Sequence, residues 1–364
     1  MKRLVVLLLV LGAIGAGVFG WAQFSWTQSG PSASEIVILI PPRTRAHDVA
    51  VMLQDRGAVP HWLLFEFGLR SRKLADKIKA GEYALPPRAS MASIAGILVE
   101  GKSIQHRLTA AEGLTSDMIW KLVQQDKVLV GDAGPVPEEG TLLPETYLFT
   151  RGQTRAGLLN QMRQAQENFL AARWAGRADG LPFKTLEEAV ILASIVEKET
   201  ALPEERPHIA SVFVNRLKIG MRLQSDPTII YGLTRGYPLG RGIRQSELEG
   251  ATPYNTYVIA GLPPTPIANP GKDSLAAVLN PLDTKDLYFV ANGKGGHVFS
   301  ATMDAHARNV ATLRNIERAA RREVQTSERL NDTGNVPLPD ASLPALPKSK
   351  AKPQPNKSKR RSQR

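Results

Sequence analysis

The sequence predicts an α+β protein with one N-terminal transmembrane helix, a small α+β module and a larger α+β domain with helical and loop-rich parts. Three observations carry that prediction. Leu4 to Ala22 runs without a charge, long enough to cross a bilayer as a helix. Two short apolar runs, Glu35 to Ile40 and Ala80 to Leu85, bracket segments with apolar residues at helical spacing, as strands enclosing helices would. Strong helical patterns between 154 and 219 then give way, from Met221 to Gly271, to a stretch dense in Gly, Pro, Asn and Tyr. Such a stretch suits a cleft built from ordered loops.

The elements follow in order. Residues 1–23 read as a cytoplasmic stub and transmembrane anchor. Gly20 and Ala22 could form a small-residue cleavage site, but the run exceeds most signal cores and favours an uncleaved anchor. Lys2 and Arg3 precede the run and no Lys or Arg follows until Arg43, which puts the N-terminus in the cytoplasm. Residues 24–34 form a polar spacer. The module and its linker occupy 35–139: a strand to Ile40 closed by Pro41 and Pro42, a helix carrying Val49 and Leu53, and a second carrying Trp62, Phe65 and Phe67 as core aromatics. The strand at 80–85 follows, then a helix capped by Ser90 and stopped by Gly101. Thr115 caps a helix through Ile119 and Leu122, and the Gly, Pro and acid-rich stretch 124–140 reads as a loop or linker.

The larger domain spans 140–323. It holds a long helix at 154–174, a turn from Gly176 to Pro182, and an apolar helix ending at Glu197-Lys198-Glu199-Thr200. A further helix, Glu204 to Ile219, stops at Gly220. Leu287 to Ala291 and His297 to Phe299 bracket Asn292 to Gly296 as a hairpin, and a last helix runs from about Met303 to Arg321. Residues 324–364 read as a disordered basic tail, since 341–364 carry eight Lys or Arg and no acid.

Composition narrows the chemistry. The 364 residues, 43% hydrophobic, can bury a sizeable core, and the absence of cysteine excludes disulfides, thiolate metal sites and a cysteine nucleophile. The net charge of +12 raises nucleic-acid binding as a reading, but much of the charge lies in the tail and the Lys2–Arg3 bias keeps the bulk of the chain out of the cytoplasm. There is no Gly-x-x-x-x-Gly-Lys-Ser/Thr, no His-Glu-x-x-His and no Gly-x-Ser-x-Gly, which disfavours phosphate loops, zincins and hydrolase elbows. His297 and His306 lie apart from any carboxylate cluster, and no metal site is expected.

Carboxylates remain. Glu199 aligns on its helix with Val196, Ile195 and Leu192, whereas Glu197, about 200° away at roughly 100° per residue, follows Ser194, Ala193 and Val190. Only one of the two can face the core. For Glu199, burial and the negative end of the helix dipole would raise the pKa, the profile of a general acid; the alternative is a solvated helix end. Around it, Gln224, Asp226, Tyr254, Asn255, Tyr257 and Asn269 offer amides, hydroxyls and aromatic faces in the loop region, a mixture that suits a sugar. Asp226 is the best second carboxylate for a glycosidase, although an Asp before Pro227 is also an ordinary turn residue. A mechanism with one carboxylate, in which the substrate carries the nucleophile, fits better.

Seven ordered blocks match a known family: Gly176 to Pro182, Ala193 to Thr200, Ala210 to Leu217, Ile219 to Thr228, Tyr254 to Tyr257, Gly261 to Pro264 and Asn269 to Gly271. Over most of 35–320 the chain resembles the YceG-like family of endolytic murein transglycosylases. The resemblance implies a LysM-like first module and an anchored enzyme that cuts peptidoglycan strands between N-acetylmuramic acid and N-acetylglucosamine, leaving 1,6-anhydro-muramyl ends. It implies Glu199 as the catalytic acid and base, Thr200 as the neighbour of a Glu-Thr pair, no cofactor, and peptidoglycan synthases at the inner membrane as partners. Pro42-Arg43-Thr44 departs from the family, which usually has a glycine before the Thr or Ser. The reading from a different class is a noncatalytic peptidoglycan-binding scaffold.

Overall fold

The computed structural model describes residues 2–332. Its contacts divide at Ala307/Arg308, and everything below lies in the first unit except the continuation of the last helix. Helix α1 (Lys2–Thr27) is continuous, and its stretch Leu9–Thr27 is long and apolar enough to cross a membrane. The helix runs on past Ala22, where the expected anchor ends, to Thr27. The expected spacer thus starts as helix, and Trp26 within it is buried, stacked on Phe65 with ring centroids 5.7 Å apart. Gly68 permits that contact: a Cβ there would stand 2.2 Å from the Trp26 ring.

The first core is enclosed by β1 (Ile36–Ile40), α2 (Ala46–Asp55), α3 (Trp62–Ser71), β2 (Gly81–Leu85) and α4 (Met91–Glu100). Strands β1 and β2 pair antiparallel with Ile38 opposite Tyr83, and Ile38, Leu53, Phe65, Tyr83 and Leu98 fill the interior. Ser90 accepts the Ser93 N–H at 3.1 Å and Gly101 closes α4 at φ 77°, as the capping pattern predicts. Arg43 adopts φ 65°, so it makes the left-handed turn that a glycine would make there. Phe67 departs from expectation: it is exposed on the outer side of α3 and takes no part in the core.

A second sheet joins residues on either side of the boundary expected between 139 and 140. Strand β3 (His106–Thr109) pairs antiparallel with β4 (Thr146–Phe149), Leu108 opposite Tyr147. Between them lies α5 (Ser116–Gln125), and α6 (Arg155–Trp174) follows. Leu108, Ile119, Val123, Leu142, Phe149 and Leu158 share one buried cluster. The segment 124–140 is therefore a loop within one folded body. Four-residue strands reading His-Arg-Leu-Thr and Thr-Tyr-Leu-Phe are too short to show alternation.

The third core surrounds α7 (Leu186–Glu199), which packs against α8 (Arg206–Lys218) and a helix the sequence did not reveal, Lys272–Leu279. The stretch expected as loops also holds α9 (Asp226–Thr234) and the short α10 (Gln245–Glu249), which makes Lys272–Leu279 α11. Strands β5 (Tyr288–Ala291) and β6 (His297–Ser300) form the antiparallel hairpin that the sequence predicts. Helix α12 (Met303–Asp332) continues past Arg321, so residues 324–332, expected as disordered tail, are helical. The rest of that tail lies outside the described residues.

Candidate active site

Helix α7 begins with a capping box, Thr185 with Glu188, and is buried on every side from Ala189 to Val196. This corrects the expectation that only one of its two terminal glutamates meets the core. Both do, and burial raises the pKa of each. Their partners set them apart. Glu197 meets the Arg206 guanidinium at 3.1 Å and accepts the Gly271 N–H at 2.9 Å, so its carboxyl group is a structural joint between α7, α8 and the start of α11. Glu199 has no ion pair among the described residues and accepts one hydrogen bond, from the Ser225 hydroxyl at 2.5 Å. Burial pushes its pKa up to about 7; the Ser225 hydrogen bond opposes that, the Asp226 charge adds to it, and His297 and Arg216 pull it down.

Glu199 opens into a cleft of about 380 Å³ lined also by Arg216, Gln224, Asp226, Tyr257, Tyr288, Phe289, Met303 and His306. The Gln224–Asp226 wall is built by its backbone. Gln224 sits at φ 53° and donates its N–H to the Thr256 carbonyl at 3.1 Å. Ser225, at the N-cap position of α9, donates its N–H to Thr256 Oγ1 at 2.9 Å. Its hydroxyl does not cap α9 but turns to Glu199. Asp226 starts α9 and accepts from the Tyr257 hydroxyl at 2.7 Å. Opposite, Arg216 is fixed by donation from Nε to the Leu287 carbonyl (2.6 Å) and from Nη1 to the Leu223 carbonyl (2.5 Å). The result is one neutralisable acid, one fixed cation, an amide, a second carboxylate and several aromatic faces around one small space. Among the described residues no group of three or more His, Asp or Glu could hold a metal ion.

Of the six residues expected to bind substrate, Gln224, Asp226 and Tyr257 meet at the cleft with Glu199. The other three do not line it. Tyr254 packs on Tyr231 at 4.9 Å and its hydroxyl meets Thr265 Oγ1 at 2.8 Å. Asn255 is buried, its amide donating to the Glu247, Leu248 and Gly250 carbonyls while its carbonyl accepts the Tyr257 N–H. It positions Tyr257 by holding the loop. Asn269 is 0% exposed; it accepts the Leu142 N–H at 2.9 Å and donates to the Leu114 carbonyl at 3.1 Å. Thr200 is buried and donates to Glu205, which in turn holds His297 at 2.6 Å. It braces the β5–β6 hairpin.

Sequence reasoning assigned no role to Arg216, Ser225, Tyr288, Phe289 or His306. Two of these were within reach. Arg216 stands three, four and seven positions after the apolar Phe213, Val212 and Ile209 on its helix, and Ser225 lies between two residues already singled out. The hairpin aromatics carried no such signal.

With this geometry in place, comparison with known proteins identifies the kind of chain it belongs to. Residues 38–312 match the model of the YceG-like family, and the chain is a member of that family. It is similar to the endolytic murein transglycosylase of Streptococcus pneumoniae serotype 2 strain D39, with 29% identity over 329 residues, 77% of this chain and 58% of the relative. The Bacillus subtilis strain 168 protein of the same name is 36% identical over 175 residues, 47% of this chain and 46% of the relative. The chain thus spans about half to three fifths of the length of these curated relatives. A crystal structure of a putative yceG-like protein from Listeria monocytogenes aligns with a TM-score of 0.46 at 29% identity, covering 76% of this chain and 99% of that one.

Proposed function

We propose that this chain is a membrane-anchored endolytic peptidoglycan lytic transglycosylase that uses Glu199 as both acid and base. The observation that carries the reading is a glutamate with a pKa pushed up to about 7, without an ion pair among the described residues, lining a cleft fitted with amide, guanidinium and aromatic groups. Family membership and the names of the curated relatives support it.

Protonated Glu199 gives its proton to the glycosidic oxygen as the bond from muramyl C1 breaks. The C6 hydroxyl of the same muramyl residue attacks C1, and the Glu199 carboxylate takes the hydroxyl proton. The acid is restored, a 1,6-anhydro ring forms and no water is consumed. Gln224, Asp226 and Tyr257 bind the sugar hydroxyls, and Arg216 steadies negative charge on Glu199 midway through the reaction. Cuts within nascent strands would end their elongation beside the synthases at the inner membrane. The Lys2–Arg3 bias favours a cytoplasmic N-terminus and a periplasmic cleft. The β-α-α-β order of Ile36–Leu85 supports a LysM-like, glycan-gripping module.

The test is product analysis by mass after incubating the detergent-solubilised full chain, and its Glu199→Gln variant, with uncrosslinked glycan strands. Anhydro-muramyl ends from the parent and none from the variant are the expected result. Reducing ends would instead mean hydrolysis, with Asp226 as the second carboxylate. Binding without cleavage would favour the noncatalytic scaffold, and cleavage by the variant would remove Glu199 from the chemistry.

A further inference from the structure

Helix α3 carries two large apolar side chains that the fold does not use. Leu63 is 54% exposed and Phe67, one turn on, is 56% exposed. On the other side of the same helix, Phe65 and Leu69 are buried in the core. The location of this face is informative because α1 docks beside it. Trp26 stacks on Phe65 and fills the space left by Gly68. Phe19, Ala22 and Gln23 share a shallow groove with Leu64, Phe67 and Arg72. Arg72 secures the joint by donating to the Gln23 side chain and lying 4.4 Å over the Trp26 ring.

The register along α1 sets the depth. The apolar stretch ends at Thr27, and Phe19 lies about 12 Å inside that end at about 1.5 Å per residue. Trp21 and Phe24 are exposed on the same turns, where aromatic side chains mark the boundary between hydrocarbon and headgroups. A helix that touches Phe19 and Ala22 on one side cannot stand clear of the bilayer those residues enter. Lys73, exposed just past the end of α3, offers a cation to lipid phosphates, whereas the Arg70 guanidinium is held by Glu66 at 2.6 Å.

We propose that the Leu63–Phe67 face of α3 lies in the headgroup layer of the membrane that α1 crosses, as a second, interfacial contact that holds the first module against the lipid surface. Burying two such side chains in the interface adds to anchoring, and it fixes the tilt of the module, which a single helix alone would leave free. The inference rests on the reading of α1 as a membrane span.

The chain has no cysteine, so single-cysteine variants can be spin-labelled cleanly. Leu63→Cys, Phe67→Cys, Val18→Cys and Leu148→Cys are each reconstituted as full-length chain in phosphatidylethanolamine and phosphatidylglycerol vesicles. Relaxation by oxygen is then compared with relaxation by a water-soluble nickel chelate. Val18 reports whether α1 is inserted, and Leu148, exposed on β4, reports the aqueous baseline. At 63 and 67 the oxygen-to-nickel ratio should rise several-fold above that at 148, as it does at 18. An aqueous ratio at 63 and 67 with a lipid ratio at 18 overturns the proposal while leaving the anchor intact. An aqueous ratio at 18 as well removes the anchor reading and this proposal together. Protection at 63 and 67 that disappears when the protein is diluted in the vesicles would assign the face to a second copy, and would equally overturn it.

Discussion

Glu199 owes its acidity to where α7 ends. Burial holds it near pH 7, and two neighbours tune it in opposite directions. Ser225→Ala removes a donor that favours the carboxylate, so the loss of activity at alkaline pH should move to higher pH. Asp226→Asn removes a negative charge that favours the acid, so the same limb should move to lower pH; rate–pH profiles of the two variants check both signs. Stability is linked to the same proton. The folded chain holds it up to about pH 7, whereas the unfolded chain releases it near 4.5, so stability falls as pH rises between those values. Glu199→Gln cannot ionise and escapes the loss. Its urea midpoint should match the parent at pH 4 and exceed it at pH 8 by the equivalent of about 1–3 kcal/mol, a gain in stability at the expense of activity.

At the scale of elements, the loop region is held by side chains that resemble ligand-binding groups in the sequence and act as clamps in the fold. Asn269→Ala strands the buried Leu142 N–H, while the Leu114 carbonyl keeps the backbone N–H of residue 269, and should destabilise the chain by about 1–3 kcal/mol. The KM for glycan strands should stay unchanged in the folded fraction; thermal melting and steady-state kinetics separate the two. What the sequence made legible follows the same division. Helices with a cap and a period, such as α4 with Ser90 and Gly101, are read correctly because their signals are local. The apolar pattern of α7 likewise marks a buried helix end, but it does not separate Glu199 from Glu197, which burial affects as well. Strands β3 and β4 are not legible, since each is defined by a partner about forty residues away and neither shows an apolar–polar alternation in its sequence. Asn255 and Asn269 mislead for a related reason. An amide on a Pro- and Gly-rich loop looks free until the carbonyls and N–H groups that the fold brings to it are known.

At the scale of the whole molecule, the C-terminal end of α1 is part of a core. Trp26→Ala should cost the first module about 3 kcal/mol, read as a lower melting transition, while strand cleavage per folded molecule is retained because the cleft draws on other elements. The long reach of Asn269 also gives this fold a history in time. Its amide meets the Leu114 carbonyl 155 positions earlier, and synthesis runs from the N-terminus. Residues 26–101 contain a closed core once α4 has emerged, so the first module can fold while the rest is still being made. Leu114, Ser116 and Leu142 must wait for Asn269, and Arg216 for the Leu287 carbonyl. A nascent chain can therefore be folded at its base well before the wall around Glu199 is assembled, and it acquires a blade only after its handle is in place.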